Sequence, residues 1–210
     1  MTVTLTSGPS KWAEEEKRKE ALAHERELKS QHLLWTKSFA MFDIETTNLN
    51  ASIGEILAAC VKQLGQDEVK VFKAGRDDKK LVRDVAQELK KYDYICTYNG
   101  TRFDLPFIST RLLVHGQPSL GTLRHIDLYF TARTFLRLHS NRLQVVAETL
   151  FGTSTKTQVL GNIWNRAQKG DRKSLNYIVE HCIEDVKELE RVFCALVPFR
   201  SLGATPLRLY

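Results

Sequence analysis

Asp43 and Glu45 stand on either side of one isoleucine at the end of an apolar run, Ser38 to Ile44, rich in Phe, Ala and Met. A run this short, followed by the polar turn residues Thr47, Asn48 and Asn50, predicts a strand buried on both faces, although a short buried helix has the same apolar pattern. Residues two apart share a face of a strand, so the two carboxylates point the same way. Like charges held together near a core repel each other, and burial penalises each of them, unless something positive lies between. A hard divalent cation such as Mg²⁺ takes carboxylate oxygens and meets that need. The alternative is a pair that caps a neighbouring helix or faces water.

Two further acidic positions follow. Asp104 comes just after Tyr98-Asn99-Gly100, where Asn-Gly at the end of an apolar segment marks a tight turn into a helix. Sites in α/β layouts gather beyond the carboxyl ends of adjacent strands, which is where Asp43, Glu45 and Asp104 fall together. Asp104 equally suits the first turn of a helix, where the macrodipole favours an anion. His181 and Asp185 are four apart and share one face of a predicted helix. Their spacing is compatible with a buried site or with a surface pair.

The elements that must position these groups can be read in order. Residues 1–10 are small and polar and read as a disordered tail. Lys11 to Gln31 contains no Gly or Pro and is dense in Glu, Lys, Arg and Ala, which predicts a helix. Its charges balance and its apolar line (Trp12, Leu22, Leu28) is thin. It reads as a solvated arm lying on the domain or as a helix for a protein partner or self-association. A compact domain is expected over 33–197, with 198–210 as a tail. After the first strand come strands over Ile53 to Leu64 and Glu68 to Lys73, joined by the polar turn at Gly65. A helix is expected over Arg76 to Tyr92, a strand over Tyr94 to Tyr98, a helix over Phe103 to His115 and a strand over Arg124 to Tyr129. Helices follow over Thr131 to Leu138, Arg142 to Phe151 and Gln158 to Gln168. The last runs from an Asp171 N-cap to about Leu196, with Pro198 ending it. Three early strands, then strands alternating with helices, make one α/β domain with a mixed sheet.

Composition sets outer limits. The 210 residues suit one domain, 42% hydrophobic and 27% charged as in soluble globular proteins. No run approaches the roughly 18 apolar residues that span a bilayer, so no membrane role and a cytoplasmic setting are expected. Cys60, Cys96, Cys182 and Cys194 lack CxxC spacing and read as reduced core thiols. A net charge of +6 permits a polyanionic partner.

Taken together, Asp43-Ile44-Glu45-Thr46, Asn99-Gly-x-x-Phe103-Asp104-x-Pro106, His125-x-Asp127-Leu128 and His181-x-x-x-Asp185 resemble, in order and rough interval, the DEDD 3′–5′ exonuclease superfamily. The branch most similar is the stand-alone relatives of the family B DNA polymerase proofreading domain. The resemblance covers about Ser38 to Phe193. It implies a ribonuclease H-like mixed five-stranded sheet, the first three strands antiparallel and the rest parallel, flanked by helices and preceded by a helical arm. It also implies Asp43, Glu45, Asp104 and Asp185 as ligands of two divalent cations, Mg²⁺ or Mn²⁺, with His181 as the residue that orients or deprotonates the attacking water. In that superfamily the fifth residue is a histidine five before the last Asp or a tyrosine four before it. Here a histidine has the tyrosine spacing, with Tyr177 as the fallback. The activity implied is release of 5′-mononucleotides from single-stranded DNA or RNA 3′ ends. An endonuclease on the same fold and a non-catalytic nucleic-acid-binding module are the alternatives.

Thr46, Thr47, Asn48 and Leu49 are expected to meet the terminal nucleotide by the same resemblance, with Asn99 beside them. Phe103 and Tyr98 could stack on a base or simply pack in the core. Arg133, Arg137 and Arg142 with His139, and Lys169, Arg172 and Lys173, could line a groove for phosphates or be solvated charges. Asp127 is read as capping the following turn rather than as an acid supporting the site.

Overall fold

A computed structural model of the chain describes residues 11–154 and 161–199. The elements run α1 (Lys11–Thr36), β1 (Phe39–Thr46), β2 (Ile56–Gln63), β3 (Val69–Lys73), α2 (Lys79–Leu89), β4 (Tyr94–Thr97), α3 (Asp104–Val114), β5 (His125–Asp127), α4 (Leu128–Phe135), α5 (Leu143–Phe151), α6 (Gly161–Gln168) and α7 (Arg172–Leu196), with a 3₁₀ turn over Val197–Phe199. The five strands form one sheet in the order β3-β2-β1-β4-β5. β1, β2 and β3 pair antiparallel, whereas β1–β4 and β4–β5 are parallel. This is the mixed ribonuclease H-like sheet that the resemblance implied.

Alternation along the central strand sorts the core into two layers. Phe39 and Met41 pack with α4, α5 and α7, while Ala40, Phe42 and Ile44 pack with α2 and α3. Fully burying each large apolar side chain contributes about 1.5–3 kcal/mol. Asp43 and Glu45 continue the odd series and so emerge on the α7 face. The β2–β3 turn is tied to the same helix, because Glu190 accepts the Gly65 N–H at 2.7 Å and pairs with the buried Lys62.

Several boundaries move for local reasons. The helix expected from Arg76 starts at Lys79, since Asp78 spends its carboxylate on the Ile56 N–H, Arg111 and His115 rather than on a cap. The strand expected through Tyr129 stops at Asp127, whose Oδ1 accepts the Tyr129 N–H at 3.1 Å and starts α4 there, while α4 itself ends at Phe135. The second strand begins at Ile56, because the Ile53 and Gly54 N–H groups turn back to the Asn50 carbonyl. Asp171 caps α7 as expected, accepting the Ser174 N–H. Cys60, Cys96 and Cys182 are buried thiols outside any disulfide, but Cys194 is exposed, which corrects its reading as a core thiol.

α1 runs on to Thr36, past the boundary expected at residue 33. Residues Glu14 to Glu25 are exposed, so the arm does not lie on the domain over that length. At its end Leu34 packs on the core. No helix among the described residues is long and apolar enough to cross a membrane. The tail expected over 1–10, the tail expected over 198–210 beyond its first two residues, and the start of the helix expected from Gln158 lie outside the described residues.

Candidate nuclease site

The acids meet where β1 outruns its neighbour. Pairing between β1 and β4 ends at Met41↔Cys96, whereas β2 follows β1 to Thr46, so on the β4 side the last residues of β1 present backbone groups with no strand beside them. Asp104, the first residue of α3, takes one of them: its Oδ1 accepts the Ile44 N–H at 3.2 Å. Only 4% of Asp104 is exposed. Burial pushes its carboxyl up to about 7, against the lowering pull of hydrogen bonds from its own and the Ile44 backbone N–H.

α7 supplies the opposite wall. His181 Nε2 lies 3.8 Å from Glu45 Oε1 and 3.7 Å from Asp185 Oδ2. Glu45, His181 and Asp185 each offer one ligand atom, and these three atoms lie within 4.8 Å of one another. The His181 ring meets Trp164 of α6 edge-on, with centroids 6.5 Å apart. Next to it, the Cys182 thiol contacts the Asp43 carbonyl and Oδ2, both at 3.6 Å. Burial first, then the neighbouring Cys60 and the site's carboxylates, push that thiol far up, so it donates to Asp43 as S–H. The carboxylate oxygens of Glu45 and Asp185 suit a hard divalent cation, with the His181 imidazole beside them.

Asp43 and Asp185 open into a cleft of about 510 Å³ whose wall includes Tyr98, Arg102, Tyr129 and Arg142. The turn between β4 and α3 shapes that wall. Asn99 holds a left-handed φ of 66°, and Gly100 packs so close to Thr97 that an added Cβ would lie 2.2 Å from its Oγ1. Asp127 clamps the turn from the next strand, its two oxygens accepting the Asn99 and Thr101 N–H groups at 2.8 and 3.0 Å. Asp127 is thus both the cap that the sequence predicted and a brace for the site's loop. The Tyr98 hydroxyl donates to the Asn141 carbonyl at 2.7 Å.

A second, more apolar cleft of about 280 Å³ adjoins the first and contains Leu49, Phe103, Pro106 and Phe107. Of the residues expected at the terminal nucleotide, Leu49 and Phe103 line this cleft and Asn99 the first. Thr46, Thr47 and Asn48 line neither. Thr46 Oγ1 donates to the Asn48 carbonyl, Asn48 caps the Asn50 N–H, and Thr47 pairs with Glu55. Arg142 joins the first cleft, whereas Arg133, Arg137 and His139 are exposed and line neither. Sequence reasoning passed over Arg102, Tyr129 and Trp164. Arg102 sat unremarked inside the Asn99–Asp104 motif, and Tyr129 had been placed in a strand.

Residues 40–197 match the model of the RNase H superfamily. The chain belongs to that superfamily. It is also 30% identical over 112 residues to a DNA polymerase of Methanocaldococcus jannaschii, an alignment covering 43% of this chain and 7% of the polymerase. The family B DNA polymerase of the hyperthermophilic archaeon Pyrobaculum calidifontis superposes over 81% of this chain with a TM-score of 0.65 and 23% identity, and this chain covers 26% of that one. The chain therefore spans a small part of either polymerase. Superfamily membership supports the resemblance carried by the motifs, and with it a nuclease, and the polymerase structure shares the fold.

Proposed function

We propose that this RNase H superfamily member is a divalent-cation-dependent 3′–5′ exonuclease acting on single-stranded nucleic-acid ends. The observation that carries the reading is the convergence of Glu45, His181 and Asp185 within 4.8 Å beside the cleft that Asp43 and Asp185 line. Asp43, Glu45, Asp104 and Asp185 would hold two cations, Mg²⁺ or Mn²⁺, which when bound neutralise charge at the attacking, phosphoryl and leaving oxygens. The residues of the chain do the rest. His181 accepts a proton from the attacking water, with its ring fixed by Trp164 and flanked by two carboxylates. The walls of the cleft orient the strand, and Leu49 and Phe103 offer apolar surface to the terminal base. The product is a 5′-mononucleotide. In this reading residues 33–197 form the catalytic domain, the setting is cytoplasmic, and the arm serves a protein partner or a second copy.

Incubation with 5′-labelled single strands tests it. We expect laddering from the 3′ end that disappears with EDTA and in Asp43→Ala. Cutting of a strand with a blocked 3′ end would overturn the exonuclease in favour of an endonuclease. Release of no nucleotide with either Mg²⁺ or Mn²⁺ would remove the nuclease reading.

A further inference from the structure

The two clefts share one charged residue, Arg102, which borders both the acidic, tyrosine-walled cleft and the apolar one. Its backbone is fixed by the Asn99 turn, the Arg102 N–H donating to the Asn99 carbonyl at 3.0 Å. Its guanidinium lies 5.2 Å from the centroid of the Phe130 ring on α4. A guanidinium placed over a ring in this way keeps N–H groups that can donate to an anion. Phe130 itself stands against Tyr129 at 5.3 Å, and Tyr129 against Tyr98 at 6.1 Å, so a row of rings supports the arginine from the cleft side. Arg142 is the other arginine of the acidic cleft.

A single strand that puts its last base against Leu49 and Phe103 and its backbone over the acids passes Arg102, the residue that both clefts share. We infer that Arg102, held on Phe130, is the positioning residue that grips a backbone phosphate of the strand at this crossing, and so fixes which phosphodiester lies over the acids. The ligand is a phosphate within a single strand of nucleic acid. This inference rests on the nuclease reading above and adds a register-setting contact to it. A guanidinium suits the task because it presents a fork of donors to phosphate oxygens, which a lysine does not reproduce.

Binding of a 5′-fluorescent single strand is measured by anisotropy across a salt series, in Asp43→Ala protein with EDTA so that nothing is cleaved. Arg102→Ala is expected to weaken binding about tenfold at low salt and to flatten the log–log salt slope by about 0.7, the share of one phosphate contact on a single strand. Arg102→Lys should restore the slope but only part of the affinity. Phe130→Leu should weaken binding about two- to threefold with the slope unchanged. Arg83→Ala removes one positive charge from the exposed side of α2 and controls for net charge. In protein with the acids intact, Arg102→Ala should raise KM more than it lowers kcat. It should also blur the single-nucleotide ladder. Parent-like affinity and slope in Arg102→Ala, or a change no larger than that of Arg83→Ala, overturns the inference while leaving the nuclease standing. A parent that neither binds nor cleaves single strands overturns both.

Discussion

Asp104 and Ile44 are joined across the end of the sheet, the carboxylate of one accepting the backbone N–H of the other at 3.2 Å. The residue so gripped is the one between Asp43 and Glu45, so α3 positions both acids of β1 through the backbone that carries them. Geometry and charge at the site are thereby linked through one side chain.

That link gives a pH dependence. Unfolded, Asp104 releases its proton near 4; folded, burial holds it to about 7. Between those values the native state binds the extra proton, so stability is full below about 4 and falls as pH rises through 7. The slope contributed is up to roughly 1.4 kcal/mol per pH unit. Thermal melting of metal-free protein between pH 4 and 8 should show this loss, and Asp104→Asn, which keeps an acceptor for Ile44, should flatten it while abolishing cleavage. Asp104→Ala leaves the Ile44 N–H without its acceptor and should cost about 1–3 kcal/mol below about pH 4, with the difference from the parent shrinking as pH rises and the parent loses its own stability.

Cation binding should be visible without turnover. Millimolar Mn²⁺ is expected to raise the melting temperature of the parent, by the free energy of a ligand that binds only the native state. In Asp185→Asn, where one carboxylate of the Glu45–His181–Asp185 group is neutral, the rise should shrink markedly. An unchanged rise would separate that group from the cation.

Away from the site, Glu88 tests the electrostatics of the fold. Burial alone would raise its carboxyl, but Lys70, Lys91 and the Tyr92 hydroxyl outweigh it and hold the group at about 2. A depressed carboxyl stabilises above its unfolded value, and the contribution is lost as pH falls from about 4.5 towards 2. Glu88→Gln should therefore cost about 2 kcal/mol at neutral pH in denaturant titrations, with the difference from the parent closing as acid is added.

Gly100→Ala is expected to damage fold and activity together. The new methyl would meet the Thr97 side chain at 2.2 Å, and Thr97 is itself pinned by His125 at 2.8 Å and cannot swing away freely. Overpacking of this kind costs about 1–3 kcal/mol. Because Asp104 follows on the same turn, the loss in kcat should exceed what the loss of folded protein explains.

Much of this was legible from residue order. The Phe42–Thr46 segment gave a central strand with its acids on one face because side-chain alternation has a period of two wherever the strand lies. The His181–Asp185 pair was placed on one helix face by the same kind of local geometry, but whether that face was buried depended on β1, 139 residues from Cys182 at their contact. Boundaries went astray where a side chain spent its hydrogen bonds elsewhere, as Asp78 does on Arg111, or capped earlier than the apolar pattern ended, as Asp127 does. Arg102 and Trp164 were missed for another reason. An exposed arginine or a single tryptophan carries no periodic signal, and their value comes only from what the fold brings beside them.

The arm α1 enters β1 at Phe39, while the acids sit near the strand's far end, about 13–20 Å further along at a strand's rise per residue. Its 26 residues reach about 39 Å outward from that root. Cargo or a surface tethered through its outer turns would be joined to the domain at the end of β1 away from the acids. The molecule has in effect a handle, rooted at the end of β1 opposite its acids.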